Sequence, residues 1–289
     1  MTNASLACPV ADNAVPSSRL WPSLPKTARL PINRCNLTAI ILGSLTFQQH
    51  PAPLMIDGVA EVHRRLFGLL DKLDGPQRRA HQFMDYMTVY FRLKALAEMG
   101  LTLGKRNLRG RADYLRMVRG WAFDPDCREG AVLKGWVESR FGLLTLYHKG
   151  NLRNRSGEHY LRYLEARSKG LYNTNALEAQ LDLLYTYCQY ELGRQYSDRQ
   201  HLSLYRGFNH IGDDELLVKL SRSRRIVLLN NLSSFTSCRD RADEFGDHML
   251  RAQVPLSKIF FYHRLLPGVL SGEDEYVVIG GIYEIERLS

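Results

Sequence analysis

The hydrophobic pattern changes period about two-thirds of the way along the chain. Before Gly193 the apolar positions recur at helical spacing: Val59, Val62, Leu66, Leu69 and Leu73 mark one amphipathic helix. Met84, Met87, Phe91 and Ala95 mark a second, behind the start signal Asp74-Gly75-Pro76. Leu177, Leu181, Leu184, Cys188 and Leu192 predict a third, and residues 131–148 a fourth. Beyond that point the runs are short and apolar or alternating, and they predict strands over 202–208, 225–229, 256–262, 275–279 and 282–288. Gly280-Gly281 between the last two reads as a two-residue hairpin turn. Helices first and strands second predict an α+β fold, the helical N-terminal two-thirds packed on a C-terminal antiparallel or mixed sheet. Residues 1–34 carry Pro9, Pro16, Pro22, Pro25 and Pro31 without helical periodicity and read as an extended, partly disordered arm. The remainder, 35–289, is then expected to be a single domain, with 35–195 its helical part and 196–289 its sheet part.

Composition narrows the class. A chain of 289 residues with 45% hydrophobic content can bury a sizeable core. No apolar run approaches the roughly 20 residues that cross a bilayer. Residues 1–15 have neither a basic start nor a sustained apolar segment, so no secretory signal is expected. The 5 cysteines, at 8, 35, 127, 188 and 238, form no CxxC and no metal-type spacing, which points to a reducing, cytoplasmic setting. The net charge of +9 suits a polyanionic partner: nucleic acid, a nucleotide, or an acidic protein surface. Its basic residues cluster as Lys105, Arg106, Arg109, Arg111, Arg116 and Arg119, and again as Lys149, Arg153, Arg155, Arg162, Arg167 and Lys169. A solvated surface explains such runs as well as a docking face does.

Familiar cofactor motifs are missing. No GxGxxG follows a strand, Gly100 to Lys105 is one residue short of a Walker A loop, and HExxH is absent. The nine histidines fall singly, so no metal site is expected, and His148 reads as a helix-surface or partly buried residue. Three segments carry chemistry instead. In 202–208, Arg206 shares strand parity with Leu202 and Leu204, and an inward guanidinium seeks a phosphate or carboxylate. Gly207 beside it permits close approach by backbone or ligand. The stretch from Asn231 to Arg239 is rich in hydroxyls around Phe235, an aromatic able to stack on a flat ring. By itself it also reads as a loop. Glu273-Asp274-Glu275 runs into Tyr276-Val277-Val278-Ile279, placing Glu273 and Glu275 on the face of Val277 and Ile279 and Asp274 on the other. Carboxylates on the inward side of an apolar strand are costly unless paired or put to chemical use.

Tyr205-Arg206-Gly207, Phe235-Thr236-Ser237 and Glu273-Asp274-Glu275 occur in the order of the arginine, serine, glutamate signature and resemble the cholera-toxin-like mono-ADP-ribosyltransferases. Across the helical half, Asn33-Arg34-Cys35-Asn36-Leu37, the segment from Phe47 to Leu54 and the segment from Ile56 to Glu61 resemble the dinitrogenase reductase ADP-ribosyltransferases. That likeness covers nearly everything after residue 30. The Ser-Thr-Ser element of the broader family is kept only at Ser237, where Cys238-Arg239 replace what should follow. Ser237 is favoured over Ser234 because Phe235 then falls where the family keeps its aromatic.

The resemblance implies a sheet of ADP-ribosyltransferase type, NAD+ as co-substrate and transfer of ADP-ribose to an arginine. Glu275 would stabilise the ribosyl cation, Ser237 would hold that glutamate or the ribose, and Glu273 would orient and deprotonate the acceptor. Arg206 would grip the pyrophosphate, with Gly207, Phe235, Ser234 and Arg239 also in the NAD+ site. The implied acceptor is dinitrogenase reductase, the nitrogenase iron protein, whose modification reversibly stops nitrogen fixation. The resemblance also implies a PII signal protein as regulator, with no nucleic-acid partner. Two other readings fit the residues: a basic helical module binding nucleic acid or a regulatory partner without NAD+ chemistry, and an NAD+ glycohydrolase with water as acceptor.

Overall fold

The computed structural model describes residues 21–93, 113–171, 176–208, 216–246, 248–270 and 274–288. Glu273, Ala95 and the basic residues Lys105, Arg106, Arg109 and Arg111 lie outside them. The helical part comprises Ala39–Leu42 (α1), Leu45–Gln49 (α2), Val59–Val62 (α3), Arg64–Leu70 (α4), Pro76–Tyr90 (α5), Tyr114–Phe123 (α6), Arg128–Phe141 (α7), Glu158–Leu171 (α8) and Ala176–Gln195 (α9). Strands His201–Phe208 (β1), Leu216–Lys219 (β2), Arg224–Thr236 (β3), His248–Pro255 (β4), Ile259–Tyr262 (β5) and Glu275–Leu288 (β6) follow, with a short helix, Arg239–Asp243 (α10), between β3 and β4. The fold is α+β, and the sheet is antiparallel throughout the described pairings, in the order β2-β3-β1-β4-β6-β5 with β3 also paired to β6.

Local sequence explains most helix ends. Gly75 and Pro76 open α5, the proline at the first helical position where its missing N–H costs nothing. The predicted helix over 59–73 is broken at His63, whose φ of −100° and ψ of 18° separate α3 from α4. The one over 131–148 stops early, because Gly142 takes the left-handed conformation at φ 69° and ends α7. The chain then folds back over the helix, where Thr145 donates its backbone N–H to Glu138 Oε1 at 2.9 Å. Residues Trp21 to Arg34 lie against the end of α7, extended apart from a 3-10 turn at Lys26–Ala28: Leu24 and Ala28 are buried, and the Leu30 N–H reaches Gly142 O at 2.7 Å. One hydrophobic cluster joins Leu66, Phe83, Trp121 and Leu184 of the helices to Val227, Phe260 and Ile279 of the sheet, so both parts share a core.

The sheet corrects two sequence expectations. Gly280-Gly281 is not a hairpin turn but lies inside β6, which runs unbroken from Glu275 to Leu288. Opposite it β3 carries a bulge: Leu229 pairs with Gly281 and Leu232 with Ile279, so Asn230 and Asn231 together face Gly280. A Cβ on Gly280 would stand 1.9 Å from Asn230 O, which is why glycine is needed there. The hydroxyl-rich stretch is no loop; through Thr236 it is the second half of β3, which Phe235-Thr236 end.

Below the bulge sits a fully buried lysine. Lys258 Nζ donates to Gly280 O at 2.6 Å and lies over the rings of Phe47 and Tyr283 at 5.6 and 5.0 Å. Burial pulls its pKa down from the ordinary 10.5 to about 7. The unfolded chain then binds more protons than the folded one above about pH 7, so this residue makes stability rise with pH. Between about pH 7 and about pH 8.5, urea titrations should show the wild type gaining on Lys258→Met by up to about 1.4 kcal/mol per pH unit. Parallel stability curves would mean that the buried amine keeps its ordinary protonation.

Candidate active site

β3 and β6 bring two of the predicted residues, Ser234 and Glu275, into contact. Thr236 pairs with Glu275 and Ser234 with Val277, so Ser234, Thr236 and Glu275 project from one face. Phe235 pairs with Tyr276 and alternates to the other face, where it is buried in the core although it reaches the cavity wall. The Glu275 carboxylate is itself buried, and Oε1 accepts a hydrogen bond from Ser234 Oγ at 2.6 Å. Ser237, the serine favoured by sequence, lies past the end of β3 and is exposed; its backbone N–H points to Asp274 O at 3.4 Å. The bulge is the reason, since its extra residue shifts the β3 register by one and turns Ser234 towards Glu275.

On β1, Arg206 donates from Nη1 to Ser234 O at 3.1 Å, which aims its guanidinium along the same cavity. Gly207 is required by close approach: an added Cβ would meet Ala242 O of α10 at 2.1 Å. The backbone of α10, rather than a ligand, makes that approach. Arg239 is exposed at the start of α10. Asp274 has left-handed backbone, φ 46°, and its Oδ1 lies 3.0 Å from His263 Nε2. It therefore ties the residue before β6 to the segment after β5. Glu273 lies outside the described residues.

The cavity lined by Arg206, Gly207, Ser234, Phe235, Thr236 and Glu275 has a volume of about 510 Å³, in the range of small-molecule sites. Several of its residues were not read from the sequence. Trp121 of α6 donates from Nε1 to Ser234 Oγ at 2.9 Å and to Glu275 Oε1 at 3.1 Å. The helix that supplies it was legible: Tyr114, Met117, Val118 and Trp121 are buried at helical spacing, and the Asp113 side chain caps the first turn by accepting from the Arg116 N–H. In the sequence Arg116 and Arg119 stand out as part of a basic cluster, and the apolar stripe of the same helix is the weaker signal. Phe123, 93% exposed, and Phe245, 56% exposed, also line the cavity. Two large rings held in water at its edge form a surface that a flat ring or a protein would cover.

Behind the Trp121 ring lies a charged cluster. Lys134 Nζ contacts Asp126 Oδ1 at 2.7 Å, Tyr147 O at 3.2 Å and His148 Nδ1 at 3.3 Å. Burial pulls the Lys134 pKa below the ordinary lysine value, against the opposing charge of Asp126. Burial pushes Asp126 up, but the Lys134 charge and the hydrogen bonds from Lys134 and the Lys149 amide hold it below the carboxylate range. His148, buried and next to the Lys134 charge, falls to about 4 and is a neutral imidazole at pH 7. Among the described residues no group of His, Cys, Asp and Glu could hold a metal ion.

The arrangement sets a buried carboxylate, hydrogen-bonded by Ser234 and Trp121, and the Arg206 guanidinium on the lining of one cavity. The match with known proteins decides the family: the model of dinitrogenase reductase ADP-ribosyltransferase (DRAT) matches residues 32–287. The chain belongs to the DRAT family. It is 37% identical over 257 residues to the NAD(+)--dinitrogen-reductase ADP-D-ribosyltransferase of Rhodospirillum rubrum, covering 88% of this chain and 93% of that protein. No solved structure matches the chain. No helix among the described residues of this DRAT chain is long and apolar enough to cross a membrane.

The charged cluster yields a stability test. Removing Asp126 leaves the Lys134 charge buried without its carboxylate, so Asp126→Ala should lose roughly 3 kcal/mol by urea denaturation. Adding Lys134→Met to that variant should recover most of the loss. A double mutant as unstable as the single one would show that the pair does not share its energy in this way.

Proposed function

We propose that this protein transfers ADP-ribose from NAD+ to an arginine of dinitrogenase reductase, a modification that reversibly shuts off nitrogen fixation. The observation that carries the reading is the buried Glu275 carboxylate, hydrogen-bonded by Ser234 and facing the cavity that Arg206 also enters. Membership of the DRAT family supports the same reaction. In it the bond between nicotinamide and ribose C1′ breaks, and nicotinamide leaves with the electron pair. The ribose is left as an oxocarbenium-like cation. Glu275, buried and fixed beforehand by its hydrogen bonds, stabilises that charge at little reorganisation cost and can hold the ribose 2′-hydroxyl. Arg206 offers paired N–H donors to the pyrophosphate. Ser234 is the serine in reach of the glutamate.

The acceptor guanidinium has a pKa above about 12 and is a poor nucleophile while charged. Glu273, two residues before Glu275, is assigned to orient it and to take its proton as the C1′–N bond forms. Water would otherwise be the acceptor and NAD+ would be hydrolysed. The basic clusters suit an acidic partner surface, either the acceptor protein or a PII regulator. The free cysteines Cys35, Cys127, Cys188 and Cys238 fit a cytoplasmic setting.

Incubation with labelled NAD+ and purified dinitrogenase reductase should label that protein on arginine. Glu275→Gln should lower transfer by at least about 1000-fold while the fold is kept. Glu273→Gln should lose transfer to arginine yet keep slow release of free ADP-ribose. Normal transfer by Glu275→Gln would remove the catalytic assignment. The serines separate under the same assay: Ser234→Ala should slow transfer about tenfold and Ser237→Ala less than about twofold, the opposite order overturning the choice of Ser234.

A further inference from the structure

We infer that Trp121 is a positioning residue for Glu275, acting through its indole N–H, and that the helical half of the molecule thereby supplies part of the catalytic centre. The inference rests on the reading of Glu275 given above. Three atoms form a closed triangle: Trp121 Nε1 lies 2.9 Å from Ser234 Oγ and 3.1 Å from Glu275 Oε1, and Ser234 Oγ lies 2.6 Å from the same Oε1. Two donors therefore converge on one carboxylate oxygen. A glutamate side chain with one oxygen held from two directions, one of them a rigid bicyclic ring, has its rotamer and the plane of its carboxylate fixed before substrate arrives. Preorganisation of this kind is what makes a fixed charge effective in a transition state.

The indole is held in turn. Trp121 is 1% exposed, and Lys134 Nζ lies 5.8 Å from its ring centroid, within cation–π range. Lys134 cannot swing away, because Asp126, Tyr147 O and His148 surround its ammonium. A cation against the ring face draws electron density from the indole and makes its N–H a better donor to an anion. Asp126, Lys134, Trp121 and Glu275 thus form a line of support from the turn after α6 into the cavity. On the far side, Gly120 keeps α6 close to α7: an added Cβ would stand 2.5 Å from Glu129 Cβ.

A buried tryptophan needs an acceptor for its N–H whatever its role, so the test must remove the hydrogen bond without removing the ring. Full-length protein carrying the benzothiophene analogue of tryptophan at position 121 replaces N–H by sulfur and keeps the shape; Trp121→Phe is the simpler companion. Both should lower kcat about 10- to 100-fold, with the KM for NAD+ within about threefold of wild type. Transfer and NAD+ hydrolysis should fall together, since positioning precedes the choice of acceptor. The acid limb of the kcat–pH profile should move to higher pH, because a donor to the ionised carboxylate has been lost. A merely structural tryptophan would lower thermal stability without moving that limb. If Trp121→Phe fails to fold, the analogue decides alone. Wild-type kcat and pH profile in the analogue, with Glu275→Gln inactive, would overturn this inference and leave the catalytic reading standing. Normal transfer by Glu275→Gln would instead remove the reading on which it rests.

Discussion

The β-bulge at Asn230 and Asn231 is the constraint on which the rest of the site depends. It places two residues of β3 opposite Gly280 alone, and so sets which side chains of the second half of the strand meet β6. Without the extra residue, Ser233 rather than Ser234 would share the face of Glu275. The two bulge residues also present amide side chains to the helical part. Asn231 Nδ2 donates to Lys134 O and Leu143 O at 2.8 and 3.1 Å, and Asn230 Oδ1 accepts from the Leu146 N–H at 2.9 Å. One backbone irregularity thus registers the serine against the glutamate and ties the sheet to α7 and to the segment carrying His148.

The site and the helical packing around it contain groups that are costly to bury and have been given partners. Glu275 has Ser234 and Trp121, Lys134 has Asp126, and Arg79 has a bidentate contact with Glu191 at 2.6 and 2.8 Å. Such pairs add little net stability but fix geometry, because losing one partner strands the other. Lys258 is the exception: a carbonyl and two aromatic faces hold it, it meets no carboxylate among the described residues, and burial lowers its pKa to about 7 instead. The site is therefore rigid at the base, around Trp121 and Lys134. At its edge the exposed rings of Phe123 and Phe245 meet solvent.

Much of this was legible in the chain. The change of period near Gly193 gave helices before strands, and the α+β architecture follows from it. Arg206, the hydroxyl stretch and Glu275 were each visible as residues whose chemistry did not suit their apolar neighbours. Other features were not. The Gly280-Gly281 pair looks the same in sequence whether it turns a hairpin or accommodates a bulge. Ser237 kept the family's spacing to Phe235 and was preferred on that ground, while the register gave the contact to Ser234.

By itself the sequence determined the fold class and which polar residues stand out in the second, strand-rich part, because those depend on local periodicity and on polar residues in apolar company. Only the tertiary structure decided which serine meets the glutamate and that Trp121 joins them. Alternation along a strand predicts a face only while the register is unbroken. Contacts such as Trp121 with Glu275, 154 residues apart, depend on how helices dock on the sheet, which no local pattern encodes.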